Sequence, residues 1–376
     1  MKILSDESQK RYNIMKLQYH DGEKTQTHQR PQNITIAKLD KNLEKELYIS
    51  NKIDKIRFFH LYFQTIHIHI KTQLSYVDSR STSSSREQKE EIPLEYWERI
   101  VSSDNTDADA DTFKLVETSS NLTNSIAIYK YDEWFNKFDN KKEILSNIFN
   151  LCLFILDGLQ LLQKNDILLL NFSKSNLCFN QFGKPFICKF DQCIEKSTLH
   201  KISQITCDQD ILCEPIEIFV MGYFKKNNHM HSLSNHQIEL IVKKYVDNHS
   251  IISNISLHMR EKYYEDSVKY LQVLKNKPLI QILNFLLNHA NTWDNYGYHM
   301  FFLKDILLNN ANANTIENTN TNTIPFITED SKVFWKGFID IFMKNILCNP
   351  NERHNIQETK NVIVEYLNTN TKYLHI

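Results

Sequence analysis

Glycine is scarce in this chain: an average composition would supply roughly 26 in a protein of this size. The 376 residues hold six, at positions 22, 158, 183, 222, 297 and 337. They are too far apart for a G-x-G-x-x-G turn or a G-x-x-x-x-G-K-[ST] loop to be written anywhere, so a glycine-rich phosphate cradle is excluded. Net charge is lacking too, with 44 Lys and Arg against 45 Asp and Glu. No overall field draws nucleic acid or an anionic membrane, and a protein partner, recognised locally, is expected instead. No apolar run reaches the length of a membrane span. The richest, 144–162, is interrupted by Asn147, Asn150, Asp157 and Gln160, and the opening MKILSDESQK carries no apolar core of signal-peptide length. The seven cysteines form no C-x-x-C pair and sit mostly in apolar runs. Buried free thiols in a reducing, intracellular compartment are the expectation.

What is present is an ordinary globular composition, 41% hydrophobic and 24% charged, in a chain long enough for two lobes. Residues 33–38 (NITIAK) predict a strand, 43–53 a short helix, 57–77 a strand or hairpin, and 112–118 (TFKLVET) another strand. The segments RSTSSSREQKEE at 80–91 and SSDNTDADAD at 102–111 lack apolar content, so 80–111 reads as a polar insert. Helical spacing then dominates, over 144–163, 235–247, 257–275, 278–290 and 331–347, with an Asn/Thr-rich loop at 309–323. Strands first and helices after predict an α+β chain, with a β-rich part over 1–118 and a helical part over 119–376.

The most informative stretch is Asp166 to Asp191, DILLLNFSKSNLCFNQFGKPFICKFD. A strand at Ile167 to Leu170 enters a polar turn. A second strand (Leu177 to Phe179), a turn at Gly183 and a third strand (Phe186 to Cys188) lead to Lys189-Phe190-Asp191. This resembles the catalytic and metal loops of the eukaryotic protein kinase family, H-R-D-L-x-x-x-N and D-F-G. Leu169-Leu170-Asn171 stands where the family has His-Arg-Asp, Asn176 where it has its metal-binding Asn, and Lys189 where it has its metal-binding Asp. Further motifs follow in the same order. Pro215-Ile216-Glu217 resembles A-P-E, and Asn349-Pro350-Asn351-Glu352-Arg353 resembles the closing N-P-x-x-R. Ile36-Ala37-Lys38 is the best match to V-A-I-K, with Glu46, or else Glu44, as its partner on the following helix. The D-x-W-S-x-G helix start, expected about a dozen residues after A-P-E, is absent. The Asn-, Ile- and Lys-rich texture resembles kinase-like proteins of large DNA viruses, which implies the host cytoplasm or the virion.

The resemblance implies a bilobal protein-kinase-like fold in which Arg353 forms a buried ion pair with Glu217. It places ATP between Lys38, Glu46, Asn176 and Lys189. The chemistry is altered at its centre. Asn171, at the position of the catalytic base, has no lone pair that titrates near neutral pH. Lys189 puts a positive charge where the family binds Mg²⁺, leaving Asp191, two residues on, as the remaining acid for a metal. These losses predict a pseudokinase that acts as a binding or regulatory module. An atypical Ser/Thr kinase using Asp191 for its metal, and a structural or interaction protein that keeps only the fold, are the alternatives.

Overall fold

The computed structural model describes residues 16–17, 33–38, 41–73, 112–118, 129–135, 141–170, 172–180, 182–199, 214–227, 231–304 and 332–370. The 80–111 and 309–323 segments and Asn171 lie outside these residues. The fold is mixed α+β and mostly helical. It divides into two compact units, Met1–His60 with Gln64–Ile128, and Leu61–Phe63 with Tyr129–Ile376.

Among the described residues, the first unit is a sheet with one helix. Strands β1 (Lys16–Leu17), β2 (Asn33–Lys38), β3 (Ile66–Gln73) and β4 (Thr112–Thr118) pair antiparallel in the order β1-β2-β4-β3. The β2–β4 register sets Ile36 opposite Leu115 and Lys38 opposite Phe113. A bulge between Ile68 and Ile70 interrupts the β3–β4 register. Helix α1 (Lys41–Ile53) buries Leu43, Glu46, Leu47, Ser50 and Ile53, a stripe spaced three and four residues apart. The predicted strand over 57–77 is shortened. Residues 57–65 form turns around a 3₁₀ turn at Phe59–Leu61, and Phe58 is left-handed at φ 65°. The end of α1 captures the chain there: Thr65 donates to Asp54 Oδ1 at 2.7 Å and the Ile66 amide to Ser50 Oγ at 3.2 Å. Those bonds tie Thr65 and Ile66 to the end of the helix where β3 begins.

The second unit carries β5 (Tyr129–Lys130), α2 (Tyr131–Phe135), α3 (Lys141–Lys164), β6 (Ile167–Leu168), β7 (Leu177–Phe179), β8 (Pro185–Ile187) and β9 (Ile194–Glu195). Helices α4 (Ile216–Lys226), α5 (Asn235–Asn248), α6 (Leu257–Gln272), α7 (Leu279–Leu287), α8 (Trp293–Phe301), α9 (Lys332–Leu347) and α10 (Ile356–Thr369) follow. The strands make two small sheets, β5-β7-β8 and β6-β9. Helix α3 buries Ile148, Cys152, Ile155, Leu159 and Leu162. It passes so close to β8 that a Cβ on Gly158 would lie 2.6 Å from Ile187 Cδ1, so a larger residue there would force the Ile187 side chain to shift. Helix α8, which the periodicity did not predict, is buried at all nine positions. A helix surrounded on every side has no polar face, and its sequence, WDNYGYHMF, therefore shows no amphipathic stripe. Helix α10 was also missed, although Asn355 and Glu358 form a capping box at its start.

Candidate functional site

The loop system from Asp166 to Glu195 is fixed by backbone pairing at both ends. β6 pairs with β9, setting Ile167 opposite Glu195, and the Lys196 amide donates to the Asp166 carbonyl at 2.9 Å. Between them the β7–β8 hairpin turns at Gly183, whose φ of 78° suits glycine. Asn180 Oδ1 accepts from the Phe182 and Lys184 amides across that turn.

Asn176 sits at the inner edge of this hairpin, and its amide is fully committed. Oδ1 accepts from the Ser173 amide at 3.0 Å and from Ser173 Oγ at 3.2 Å. Nδ2 donates to the Lys189 carbonyl at 3.0 Å and to the Cys188 carbonyl at 3.3 Å. The Cys188 amide returns a bond to the Asn176 carbonyl at 2.8 Å. Donors on one side and acceptors on the other fix which amide atom is which. The side chain is thus a clamp that draws the 188–189 backbone onto the 173–176 turn.

Lys189 leaves this clamp in a left-handed conformation, φ 61°, with a half-buried side chain. A non-glycine residue there costs on the order of 1–3 kcal/mol, which the surrounding bonds must offset. Its ammonium is close enough to Cys178 to favour that thiolate. A hydrogen bond that the protonated Cys178 thiol makes to Cys188, together with burial, outweighs it and pushes the Cys178 thiol well up. Phe190, fully buried, packs edge to face on Phe63 at 6.2 Å. Asp191 is half-buried and accepts from the neighbouring Gln192 side chain at 3.0 Å.

Mg²⁺ needs several oxygen ligands in near-octahedral array. At this loop both acceptor directions of Asn176 Oδ1 are filled by Ser173, and position 189 brings a cation. Asn176 and Lys189, as placed, do not fit the ion. Among the described residues no three His, Cys, Asp or Glu side chains gather as a metal site. The other sequence-selected positions are distributed as follows. Lys38 ends β2 and Glu46 lies on α1, both in the first unit, whereas Asn176, Lys189 and Asp191 lie in the second. Glu46 is 8% exposed, so the carboxylate belongs to the buried stripe of α1 and not to its solvated face.

A second polar centre lies between α4, α8 and the turn before α10. Glu217, in the first turn of α4, meets Arg353 in a two-pronged ion pair, Nη1 to Oε1 at 2.8 Å and Nη2 to Oε2 at 3.2 Å, both side chains shielded from solvent. Arg353 also donates to Thr292 Oγ1 at 3.2 Å and lies 4.8 Å from the centre of the Tyr296 ring. Burial alone would lower the guanidinium pKa, but the charge and hydrogen bonds of Glu217 reverse this and the net shift is upward. The arrangement keeps both charges paired and their hydrogen-bonding groups largely used, the condition for burying an ion pair without heavy cost.

Helix α8 joins the two centres through adjacent residues that sequence reasoning missed. Trp293 Nε1 donates to Glu217 Oε1 at 3.3 Å. Asp294, 2% exposed, accepts with one oxygen from the Leu169 amide at 3.0 Å and the Leu170 amide at 3.1 Å. Those amides belong to the turn that follows β6, where Leu170 is left-handed at φ 36°. Burial pushes the Asp294 carboxyl up to about 7, against the two backbone bonds that favour its ionised form.

A chain of hydrogen bonds ties α5 to the same helix. His249 Nδ1 accepts from the Ile251 and Ile252 amides, so Nε2 carries the proton and donates to Tyr296 Oη at 2.8 Å. Tyr296 then donates to Tyr245 at 3.1 Å, and Tyr245 to the Glu214 carbonyl at 2.8 Å. Burial, aided by the charge of Lys304, lowers His249 to about 3, so it stays neutral in this chain of bonds. No helix of the described residues is long and apolar enough to cross a membrane. No protein-family model and no curated protein matches this sequence, so the functional reading rests on the geometry of these two centres.

Proposed function

We propose that this chain is a protein-kinase-like pseudokinase with a bilobal fold, acting as a binding or regulatory module toward a protein partner. The observation that carries the reading is the joint state of the loop and the ion pair. Glu217 and Arg353, the residues that resemble the family's A-P-E glutamate and closing arginine, are paired. Asn176 and Lys189, at its metal-ligand positions, are turned to structural use and to positive charge. Asp294 adds support. With Tyr296 two residues on, it gives an acid and an aromatic at the spacing of the first and third positions of D-x-W-S-x-G, without that motif's serine and glycine, and α5–α7 intervene between Glu217 and that helix.

A kinase needs a base or orienting carboxylate at the substrate hydroxyl and acids for its metal. Because such groups act as a unit, the loss of several leaves the remainder little to accelerate. The test is a thermal-shift titration with ATP, with and without Mg²⁺, beside a phosphoryl-transfer assay on a generic protein substrate. The reading expects no Mg²⁺-dependent stabilisation and no transfer. Mg²⁺-dependent stabilisation with transfer would overturn it in favour of an atypical kinase using Asp191. Nucleotide stabilisation without metal, lost on Lys38→Ala, would identify a nucleotide-sensing module of the proposed kind.

A further inference from the structure

Asp294 has an unusual division of labour. One carboxylate oxygen accepts both the Leu169 and Leu170 amides, at 3.0 and 3.1 Å. The other oxygen is buried with no hydrogen-bond partner. The turn it holds contains a left-handed leucine, a conformation that relaxes unless something restrains it. In sequence this turn leads straight to Asn171. A buried carboxylate with one orphan oxygen is poised to take up a proton there, and its bonds to backbone amides weaken by about half when the charge is lost.

We propose that Asp294 is a proton-operated clasp: ionised, it grips the Leu169–Leu170 turn in its left-handed form, and protonated, it loosens that turn.

The surroundings leave the control to Asp294 itself. On α8 the neighbouring titratable groups are Tyr296, Tyr298 and His299. Tyr296 is bonded to His249 and Tyr245, Tyr298 to Cys152 of α3, and His299 to Thr359 of α10. Glu217 of α4 and Arg353 before α10 neutralise each other, and the backbone of His354 is engaged with Asn295 and Asn345. Among the described residues, the β6 turn contributes Leu168, Leu169 and Leu170, none of which titrates. The shift of Asp294, from 3.8 to about 7, has burial as its largest cause, opposed only by the two backbone bonds. The sign follows: the folded value lies above the unfolded one, so the folded chain holds the extra proton. The stability from this group is fully present below about pH 4 and is lost as the pH rises through about 7.

Urea unfolding of the full chain and of Asp294→Asn, compared across pH, tests this. Asparagine keeps an acceptor for both amides and cannot ionise. Relative to the variant, the wild-type unfolding constant is expected to rise by roughly 10- to 100-fold between about pH 5 and pH 8. Hydrogen exchange reads the clasp itself. Corrected for intrinsic rates, the Leu169 and Leu170 amides of the wild type gain protection relative to the rest of the unit as the pH rises, and in the variant they do not. Parallel pH profiles, or equal exchange behaviour, overturn the proposal. Should the variant not fold, a ¹³C-carboxyl NMR titration of the wild type decides: a buried aspartate titrating near 7 supports it, and none titrating above about 5 sinks it.

Discussion

The Glu217–Arg353 centre and the Asn176–Lys189 loop sit in one unit and are linked by one helix, yet they spend polar groups in opposite ways. The ion pair keeps two full charges, each answering the other, with Thr292, Trp293 and Tyr296 filling in around them. The loop has a neutral amide bonded to its own backbone and, beside it, a half-buried lysine in a left-handed conformation. The difference separates two demands on a fold. The first centre holds helices together and loses its value if either partner changes. The second spends its side chains on stabilising the loop itself.

The largest expected break in this contrast is Arg353→Met. It strands the Glu217 carboxylate in the interior, and urea unfolding should show a loss of about 3–5 kcal/mol. Adding Glu217→Leu should restore part of it, because an apolar pair carries no unanswered charge. A double variant no more stable than the single one would mean that the charges are not coupled. At the loop, Asn176→Asp removes both amide donors and sets a carboxylate against the Cys188 and Lys189 carbonyls, for an expected loss of about 1–3 kcal/mol by the same measurement. Added Mg²⁺ should not recover it. Recovery would show that the loop can still be organised around a metal.

Beneath the loop, Gly158→Ala should cost about 1–2 kcal/mol by overpacking against Ile187. In an Ile187→Val background, which lacks the clashing Cδ1, the same change should become neutral or favourable, since alanine is the better helix former. Equal effects in both backgrounds would locate the strain elsewhere. The smallest effect is expected at Lys189→Asp. Aspartate tolerates a left-handed backbone better than most residues, so thermal unfolding should stay within about 0.5 kcal/mol of the wild type. On the pseudokinase reading, one acid placed there should not bring phosphoryl transfer, and transfer by this variant would overturn that reading.

Much of this was legible in the sequence, for identifiable reasons. β2 and β4 were read with the bounds they have because each is a short β-rich run closed by polar residues. α3 and α5 were read because apolar residues recur in them at helical spacing. Glu217 and Arg353 were selected by motif resemblance, and the structure brings them together across 136 residues. The keystone α8 was not legible, because burial on every side erases periodicity and because Asn295 and Gly297 read locally as turn residues. Asp294 was therefore overlooked, although an acid among aromatics is itself a sign of a buried carboxylate with backbone work to do. Asn176 was legible as a position but not as a clamp. Its partners, the 188 and 189 carbonyls, belong to the backbone, which no side-chain pattern reveals. The 57–65 turns escaped because Asp54 and Ser50 override an alternation that would otherwise extend the strand.

The separation between Glu217 and Arg353 also has a temporal side. During synthesis α4 is complete long before the arginine leaves the ribosome, and the glutamate has no permanent partner in the interval. The unit's interior can therefore close only late, after distant contacts form, which favours slow folding through a partly open intermediate. Chaperone dependence, and sensitivity to proteases while the chain is nascent, would follow from where one arginine falls in the order of translation.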